Sequence, residues 1–483
     1  MTPVNRGIYN YLLAFSLFLF IKLMKCLCSV LGDENLDLPI VKLTPARILA
    51  LGFTAVIFLG AFFLTLPIAS KDGNALRFLD AFFTATSAVC VTGLVVVDTG
   101  THFTHFGQFV IISLIQIGGL GFMTLSTLFA LIIGKRIGLK ERILIQESFN
   151  QVSLAGLVRL IRNVIIMTFA FEFLGGLILS IRFLAEYPVE RAFAFGFFHS
   201  VSAFCNAGFD LFGQVYGPFS SITHYVSDWT VSLVIGGLII LGGLGFPVIM
   251  ELAKFSKTKK LSLHTKVVLK VTFILIIVGM TMILLIEQNN PKTVAGFDFS
   301  GKFLGALFQS ITPRTAGFNT LDTSQLREGT WFLMIILMFI GASPSSTGGG
   351  IKTTTFGLVM ATVGATVKGT TDVEMFERRL PRELVYRAIT IITVALGWIC
   401  SVTLIMSLVE PFDFIQLFFE AMSAFGTVGL TTGITPQLAD ISRVLLAITM
   451  FIGRVGVLTV AIALAQFNSP CNTKYIEDKI IIG

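Results

Sequence analysis

The sequence predicts an all-α integral membrane fold of four pseudo-repeats around one central axis. Each repeat is a helix, a re-entrant helix ending in a glycine loop, and a second helix. Composition predicts the membrane: 54% of the 483 residues are hydrophobic, 47 are Phe and only 13% are charged, giving a mean hydropathy of +0.85. A soluble domain carries roughly 25% charged residues, so this chain lacks the polar surface to live in water. Repetition predicts the ring. Phe82-Phe83 leads to Thr92-Gly93-Leu94, Phe197-Phe198 to Ala207-Gly208-Phe209, Ser310 to Ala316-Gly317-Phe318, and Phe418-Phe419 to Val428-Gly429-Leu430. The glycines fall 115, 109 and 112 residues apart, close to a quarter of the chain.

A bilayer span needs about 20 apolar residues. First helices are expected over Arg47–Pro67, Asn163–Leu184, Val267–Ile286 and Ala388–Val409, and second helices over Phe106–Gly134, Val231–Ala253, Trp331–Val367 and Val444–Ala465. Between them, Arg77–Val89 and Phe412–Phe425 hold only three to four helical turns, too short to cross and right for re-entrant helices. The chain therefore divides into an N-terminal cytoplasmic or interfacial segment (1–43), repeat 1 (44–142), repeat 2 (143–263), repeat 3 with an intramembrane loop (264–380), and repeat 4 with a C-terminal tail (381–483). Ile8 to Leu31, interrupted by Lys22 and Lys25, lacks a signal-peptide cleavage pattern and reads as an interfacial helix, with a ninth span as the alternative.

The net charge of +7 sits in particular connections. Lys135, Arg136, Lys140 and Arg142 form one cluster, Lys254, Lys257, Lys259 and Lys260 a second, and Arg378, Arg379, Arg382 and Arg387 a third. By the positive-inside rule these are cytoplasmic, so the charge reports topology, with anionic lipid rather than nucleic acid as its partner. Six cysteines show no zinc or disulfide framework; Cys90 and Cys205, each three residues before a repeat glycine, read as small packing residues. No histidine spacing suits a metal, and no nucleophile-base pair is visible, so an enzyme is disfavoured.

Non-helical backbone at membrane depth is tolerated only when buried or lining a cavity. Four glycine loops at one depth can turn carbonyls toward a common pore and replace the hydration shell of a cation, while re-entrant helices aim their partially negative C-terminal ends the same way. Second helices repeat Ile117-Gly118-Gly119-Leu120-Gly121-Phe122 and Leu241-Gly242-Gly243-Leu244-Gly245-Phe246, with Ile340-Gly341-Ala342 and Ile452-Gly453-Arg454-Val455-Gly456 at equivalent places. Close helix packing is the default role of such glycines, with a hinge or pore wall as the alternative.

From about Thr44 to Gly483 the chain resembles the Ktr/Trk/HKT superfamily of potassium transporters, most closely its Ktr membrane subunit. The motifs are Thr92-Gly93-Leu94 with Val95 to Asp98, Asn206-Ala207-Gly208-Phe209, Thr312-Pro313-Arg314-Thr315-Ala316-Gly317-Phe318-Asn319, and Ser423-Ala424-Phe425-Gly426-Thr427-Val428-Gly429-Leu430. The resemblance implies a potassium-channel-like pore in one chain of a homodimer, in a bacterial plasma membrane, with about eight spanning helices and four re-entrant ones. It implies a selectivity filter holding potassium on the backbone of Val91, Thr92 and Gly93; Asn206, Ala207 and Gly208; Thr315, Ala316 and Gly317; and Thr427, Val428 and Gly429. In plant relatives a serine at the first filter glycine goes with sodium selectivity, so Gly93 favours potassium. Cys90 stands where the family pattern has Thr.

The third repeat carries Ser343, Pro344, Ser345, Ser346, Thr347, Gly348, Gly349 and Gly350 in the middle of its second helix, dividing it into two halves too short to span. A flexible loop there would act as a gate under the filter, a role the resemblance supports, with Lys352 just beyond it. Arg454, an expensive charge in an apolar helix, could bond the carbonyls of that loop; snorkelling to the interface is the alternative. Asp98, Asp210 and Asp322 either draw cations to the outer mouth or cap the next helix. Glu420 is expected to hydrogen-bond behind the filter.

The expected cargo is potassium; the resemblance implies potassium-selective uptake stimulated by sodium, with sodium as a candidate second ion and no organic cofactor. The resemblance implies a cytosolic nucleotide-binding regulatory ring as partner. No P-loop is present here, since Lys352 follows Ile351. A sodium-coupled cotransporter with alternating access is the rival reading; Glu172 and Glu251 are the carboxylates it would have to use. The apolar end Ile480 to Gly483 is expected to be buried in a dimer contact.

Overall fold

A computed structural model describes residues 45–121, 124, 157–370, 372–457 and 459–460. The 8–31 segment, the basic cluster of residues 135–142 and the end of the chain lie outside the described residues. Repeat 1 comprises α1 (Pro45–Thr65), α2 (Phe78–Cys90) and α3 (His105–Leu120). Repeat 2 comprises α4 (Leu157–Phe183), α5 (Val189–Phe204), α6 (Trp229–Leu244) and α7 (Phe246–Thr258). Repeat 3 holds α8 (Leu263–Glu287), α9 (Phe299–Ile311), α10 (Glu328–Phe339) and α11 (Thr353–Val367). A short hairpin of β1 (Glu374–Met375) and β2 (Arg378–Arg379) then leads to repeat 4, with α12 (Arg382–Val409), α13 (Phe414–Gly426) and α14 (Asp440–Val455). This hairpin is a small exception to the all-α expectation.

The helix starts follow from local chemistry. Thr104, Asp228, Ser262 and Asp298 each accept a hydrogen bond from a first-turn backbone N–H of α3, α6, α8 and α9, and Asp413 with Gln416 forms a capping box on α13. The short helices α2, α9 and α13 have 13 residues each and α5 has 16. At 1.5 Å per residue that is roughly 20–24 Å, short of an approximately 30 Å hydrocarbon core. Within each, one apolar residue of a neighbouring pair is buried (Phe83, Phe198, Phe308, Phe419) and the preceding one is half-buried (Phe82, Phe197, Leu307, Phe418). The four short helices thus pack the same face into the protein.

The second helices differ from expectation. None runs through: α3 ends before Gly121, α6 before Gly245 and α14 before Gly456, all with φ between +79° and +98°. A bend of 102° separates α6 from α7, and in repeat 3 the break widens into residues 340–352. Thus the predicted single span 231–253 is two helices, while 331–367 divides in two as the Ser343 to Gly350 interruption leads one to expect; the stretches beyond Gly121 and Gly456 lie mostly outside the described residues. Among the described residues four helices are long and apolar enough to cross a membrane whole (Arg47–Thr65, Val158–Phe183, Leu263–Glu287 and Arg382–Val409), or five if the bent pair is one span. The glycines also pack: a Cβ on Gly118, Gly242 or Gly453 would overlap the carbonyl of Val89, Phe204 or Phe425 at the ends of α2, α5 and α13. The same glycine clusters thus pack against the short helices and end the second ones.

Chain connectivity joins repeats 1 to 2, 2 to 3 and 3 to 4, leaving the seam between repeats 4 and 1. Two ion pairs cross it. Arg443 donates to Asp80 at 2.6 Å, with side chains 13% and 16% exposed, and Arg77 pairs with Asp440 in the open. Truncating Arg443 leaves a largely buried carboxylate alone, on the order of 3 kcal/mol, whereas an exposed pair contributes under about 1 kcal/mol. Arg443→Ala should therefore lower the thermal unfolding temperature in detergent clearly more than Arg77→Ala. Equal shifts would show that this seam is not held by the buried pair.

Candidate functional site

The four short helices end in the same backbone conformation. Val91, Asn206, Thr315 and Thr427 have left-handed φ of 57°, 61°, 71° and 50°, and two residues later Gly93, Gly208, Gly317 and Gly429 have φ of 92°, 70°, 81° and 94°. L-residues seldom adopt such values, so four matched pairs are built features. Between them, Thr92 N–H donates to Ser87 O (2.8 Å), Ala207 N–H to Ser202 O (2.7 Å), Ala316 N–H to Thr312 O (3.0 Å) and Val428 N–H to Ser423 O (2.9 Å). Each middle N–H is thereby spent on an orphan carbonyl of its own helix end. The hydroxyls of the same four residues serve the loops again: Ser87 and Ser423 accept from Gly93 and Gly429 N–H, while Ser202 and Thr312 donate to Phe209 and Phe318 carbonyls.

The loops form a closed ring in chain order. A Cβ on Gly93 would lie 2.5 Å from Ala207 O, one on Gly208 2.7 Å from Ala316 O, and one on Gly317 2.5 Å from Val428 O; one on Gly429 would overlap Thr92 O. Each glycine of one repeat thus abuts the middle carbonyl of the next. All twelve predicted loop residues come together here, buried except for the half-buried Gly208. The glycines are required because neighbouring backbone occupies the place of a side chain.

Directly against this ring lies the break in repeat 3. Gly349 N–H donates to Thr427 Oγ1 (3.1 Å), and Gly348 sits so close to the Thr315 hydroxyl that a Cβ would overlap it. The Asn206 amide, oriented so that its NH2 serves the Ile239 and Ala203 carbonyls, accepts from Thr315 Oγ1 at 3.2 Å. On the other side, Ser343 and Thr347 N–H donate to Gly243 and Gly242 carbonyls, and Ser345 O accepts from Phe246 N–H. Pro344 O fills the space a side chain on Gly245 would need. Ser343 Oγ meets Thr353 Oγ1 at 2.8 Å, and the buried Ser346 hydroxyl has no hydrogen-bond partner among the described residues. Lys352 Nζ donates to the carbonyls of Gly348 (2.8 Å) and Gly349 (3.4 Å), pinning the segment to its own flank, which ends at Gly350.

Arg454 lies in the last turn of α14 rather than mid-helix. Its guanidinium donates to the carbonyl of Thr347 and, across the seam, to those of Gly118 and Gly119. The contact with repeat 1 has no signal in the sequence. Nor had the setting of Glu172, whose carboxylate is met by Gln116 Nε2 (3.2 Å) and Cys205 Sγ (3.6 Å) where repeats 1 and 2 pack together. Glu420 accepts from Thr431 Oγ1, Thr432 N–H and Thr435 Oγ1, bracing the loop beyond the fourth glycine. Asp98 and Asp322 act as caps, of the turns beginning at Thr99 and Thr323. Cys90 and Cys205 are wholly buried. Among the described residues no three His, Cys, Asp or Glu side chains converge as metal ligands.

A fourfold ring of main-chain loops at the ends of helices too short to span a bilayer defines a class of membrane proteins that move ions. A family profile described as cation transport protein, TrkH, matches residues 29–475, and the chain belongs to this family. It is 41% identical to the Ktr system potassium uptake protein B of Bacillus subtilis, over 92% of this chain and 98% of that protein. It is 38% identical to the potassium/sodium uptake protein NtpJ of Enterococcus hirae, over 92% and 98%. The fold matches the crystal structure of the potassium transporter TrkH from Vibrio parahaemolyticus with a TM-score of 0.67 at 18% identity, over 90% of this chain and 87% of that one.

Gly429→Ala forces a Cβ into the Thr92 carbonyl at positive φ, a strain of about 1–3 kcal/mol, and should cut cation flux in liposomes at least about tenfold. Gly397→Ala, in open space, should leave flux unchanged. Outside the spans, burial first and the neighbouring Asp98 second push the Asp210 carboxyl from 3.8 up to about 7. Folding then favours the protonated acid, so its stabilisation is full below pH 3.8 and lost as pH rises toward about 7. Asp210→Asn should flatten the fall in thermal stability across that window.

Proposed function

We propose that this chain is the pore subunit of a potassium uptake system in a bacterial plasma membrane. In this reading the ring at Val91 to Gly93, Asn206 to Gly208, Thr315 to Gly317 and Thr427 to Gly429 is the selectivity filter. One observation carries it: each ring glycine abuts the middle carbonyl of the next repeat, closing a circle of four equivalent oxygens. With the N–H groups spent on helix ends, oxygens are what the backbone can offer an ion, and a dehydrated cation needs such a shell. The names of the two bacterial relatives, one a potassium and one a potassium/sodium uptake protein, support potassium as cargo with sodium as a second ion.

Residues 343–350 are the gate in this reading, held closed by Arg454 and Lys352. The support is their position against Thr315 and Thr427 and their web of single hydrogen bonds to repeats 2 and 4. A loop bonded this way opens when a few bonds exchange, whereas a through-going helix would have to melt. Control by a cytosolic nucleotide-binding ring, and pairing as a homodimer, belong to the same proposal; the name of the Bacillus relative as part of a system supports a partner.

Purified chain in liposomes should show potassium flux exceeding sodium flux, and Arg454→Ala or deletion of residues 343–350 should raise flux without a partner. Flux that requires a sodium gradient at fixed stoichiometry would favour the cotransporter instead. Gly93→Ser should shift permeability toward sodium; an unchanged potassium-to-sodium ratio would remove Gly93 from the filter.

A further inference from the structure

The hairpin between α11 and α12 is built at a cost. Its two-residue turn places Phe376 at φ 49° and Glu377 at φ 62°, left-handed values that glycine or asparagine normally supplies and a Phe adopts only under constraint. The turn sets the Phe376 ring beneath two lysines of α8, with Lys266 Nζ 5.9 Å and Lys270 Nζ 5.5 Å from its centroid. Those lysines stand four residues apart on one helix face, both exposed, and among the described residues neither has an ion-pair partner. Like charges at this spacing repel. The nearby carboxylates do not relieve them: Glu251 is bound by Ser262 and Thr265, and Glu374 and Glu377 form no ion pair among the described residues. A single anion bridging the two ammonium groups would.

The position selects the anion. Lys270 lies seven residues into α8, about 10 Å along the helix axis, and the same exposed surface continues with Phe273 (67% exposed), Ile274 and Ile277. Cations at the foot of an apolar, bilayer-facing strip, on the side of the basic connections, match a lipid whose phosphate meets the ammonium groups while its chains follow the strip. We infer that Lys266, Lys270 and Phe376 form a seat for the headgroup of an anionic phospholipid.

Native mass spectrometry of the purified full chain with phosphatidylglycerol or phosphatidylcholine tests this independently of transport. Wild type should retain phosphatidylglycerol preferentially, and Lys266→Gln with Lys270→Gln should lower that preference on the order of thirtyfold, from about 1 kcal/mol per lysine. The Lys266→Arg, Lys270→Arg pair should keep it, which guards against a folding defect. Equal preference in wild type and the glutamine variant would overturn the inference. So would inorganic phosphate displacing the lipid at matched concentration, since the seat would then belong to a free anion.

Discussion

The structure depends on where four backbone N–H groups go. A peptide presents its N–H and C=O in opposite directions, so the middle residue of each loop cannot turn its carbonyl toward the ring unless its N–H finds a partner outward. The last carbonyls of the short helices, at Ser87, Ser202, Thr312 and Ser423, are those partners. Meeting them demands positive φ on both sides of the middle residue, and this is why each loop ends in glycine. The helices are short because their ends must stop at the ring, and the second helices carry glycines because they must lie against those ends.

Polar groups are distributed in accordance with that constraint. Carboxylates brace the loops from behind, as Glu420 does after the fourth glycine and Glu172 does beside Cys205. Cationic side chains instead contact the segment packed against the ring, where Lys352 and Arg454 spend their donors on carbonyls of residues 347–349. A guanidinium offers several N–H donors in one plane, which lets Arg454 hold Thr347 and the end of α3 at once.

Much of this was legible because it repeats. Four glycine loops at near-equal spacing, apolar helices too short to span and an apolar helix interrupted by Ser343 to Gly350 are local patterns, and local patterns survive in a linear string. The breaks at Gly121, Gly245 and Gly456 were less legible, since the glycine clusters there read first as packing and only the positive φ of the last glycine in each marks the break. Illegible altogether were contacts between residues hundreds apart, such as Arg454 with Gly118 and Arg443 with Asp80. The hairpin was hidden for another reason: nothing in Glu374 to Arg379 carries the usual glycine of a tight turn.

A ring made from one chain is a split washer. Three of its joints are continuous polypeptide, and the fourth is a cut whose faces meet through the packing of Gly429 on the Thr92 carbonyl and through side chains. Arginines gather there: Arg77 and Arg443 at one level, Arg454 at another, each reaching from one end of the chain's circuit to the other. Any widening of the circle is borne first by that cut, so the aperture's rigidity is set less by the loops than by how tightly these side chains draw the first and last repeats together.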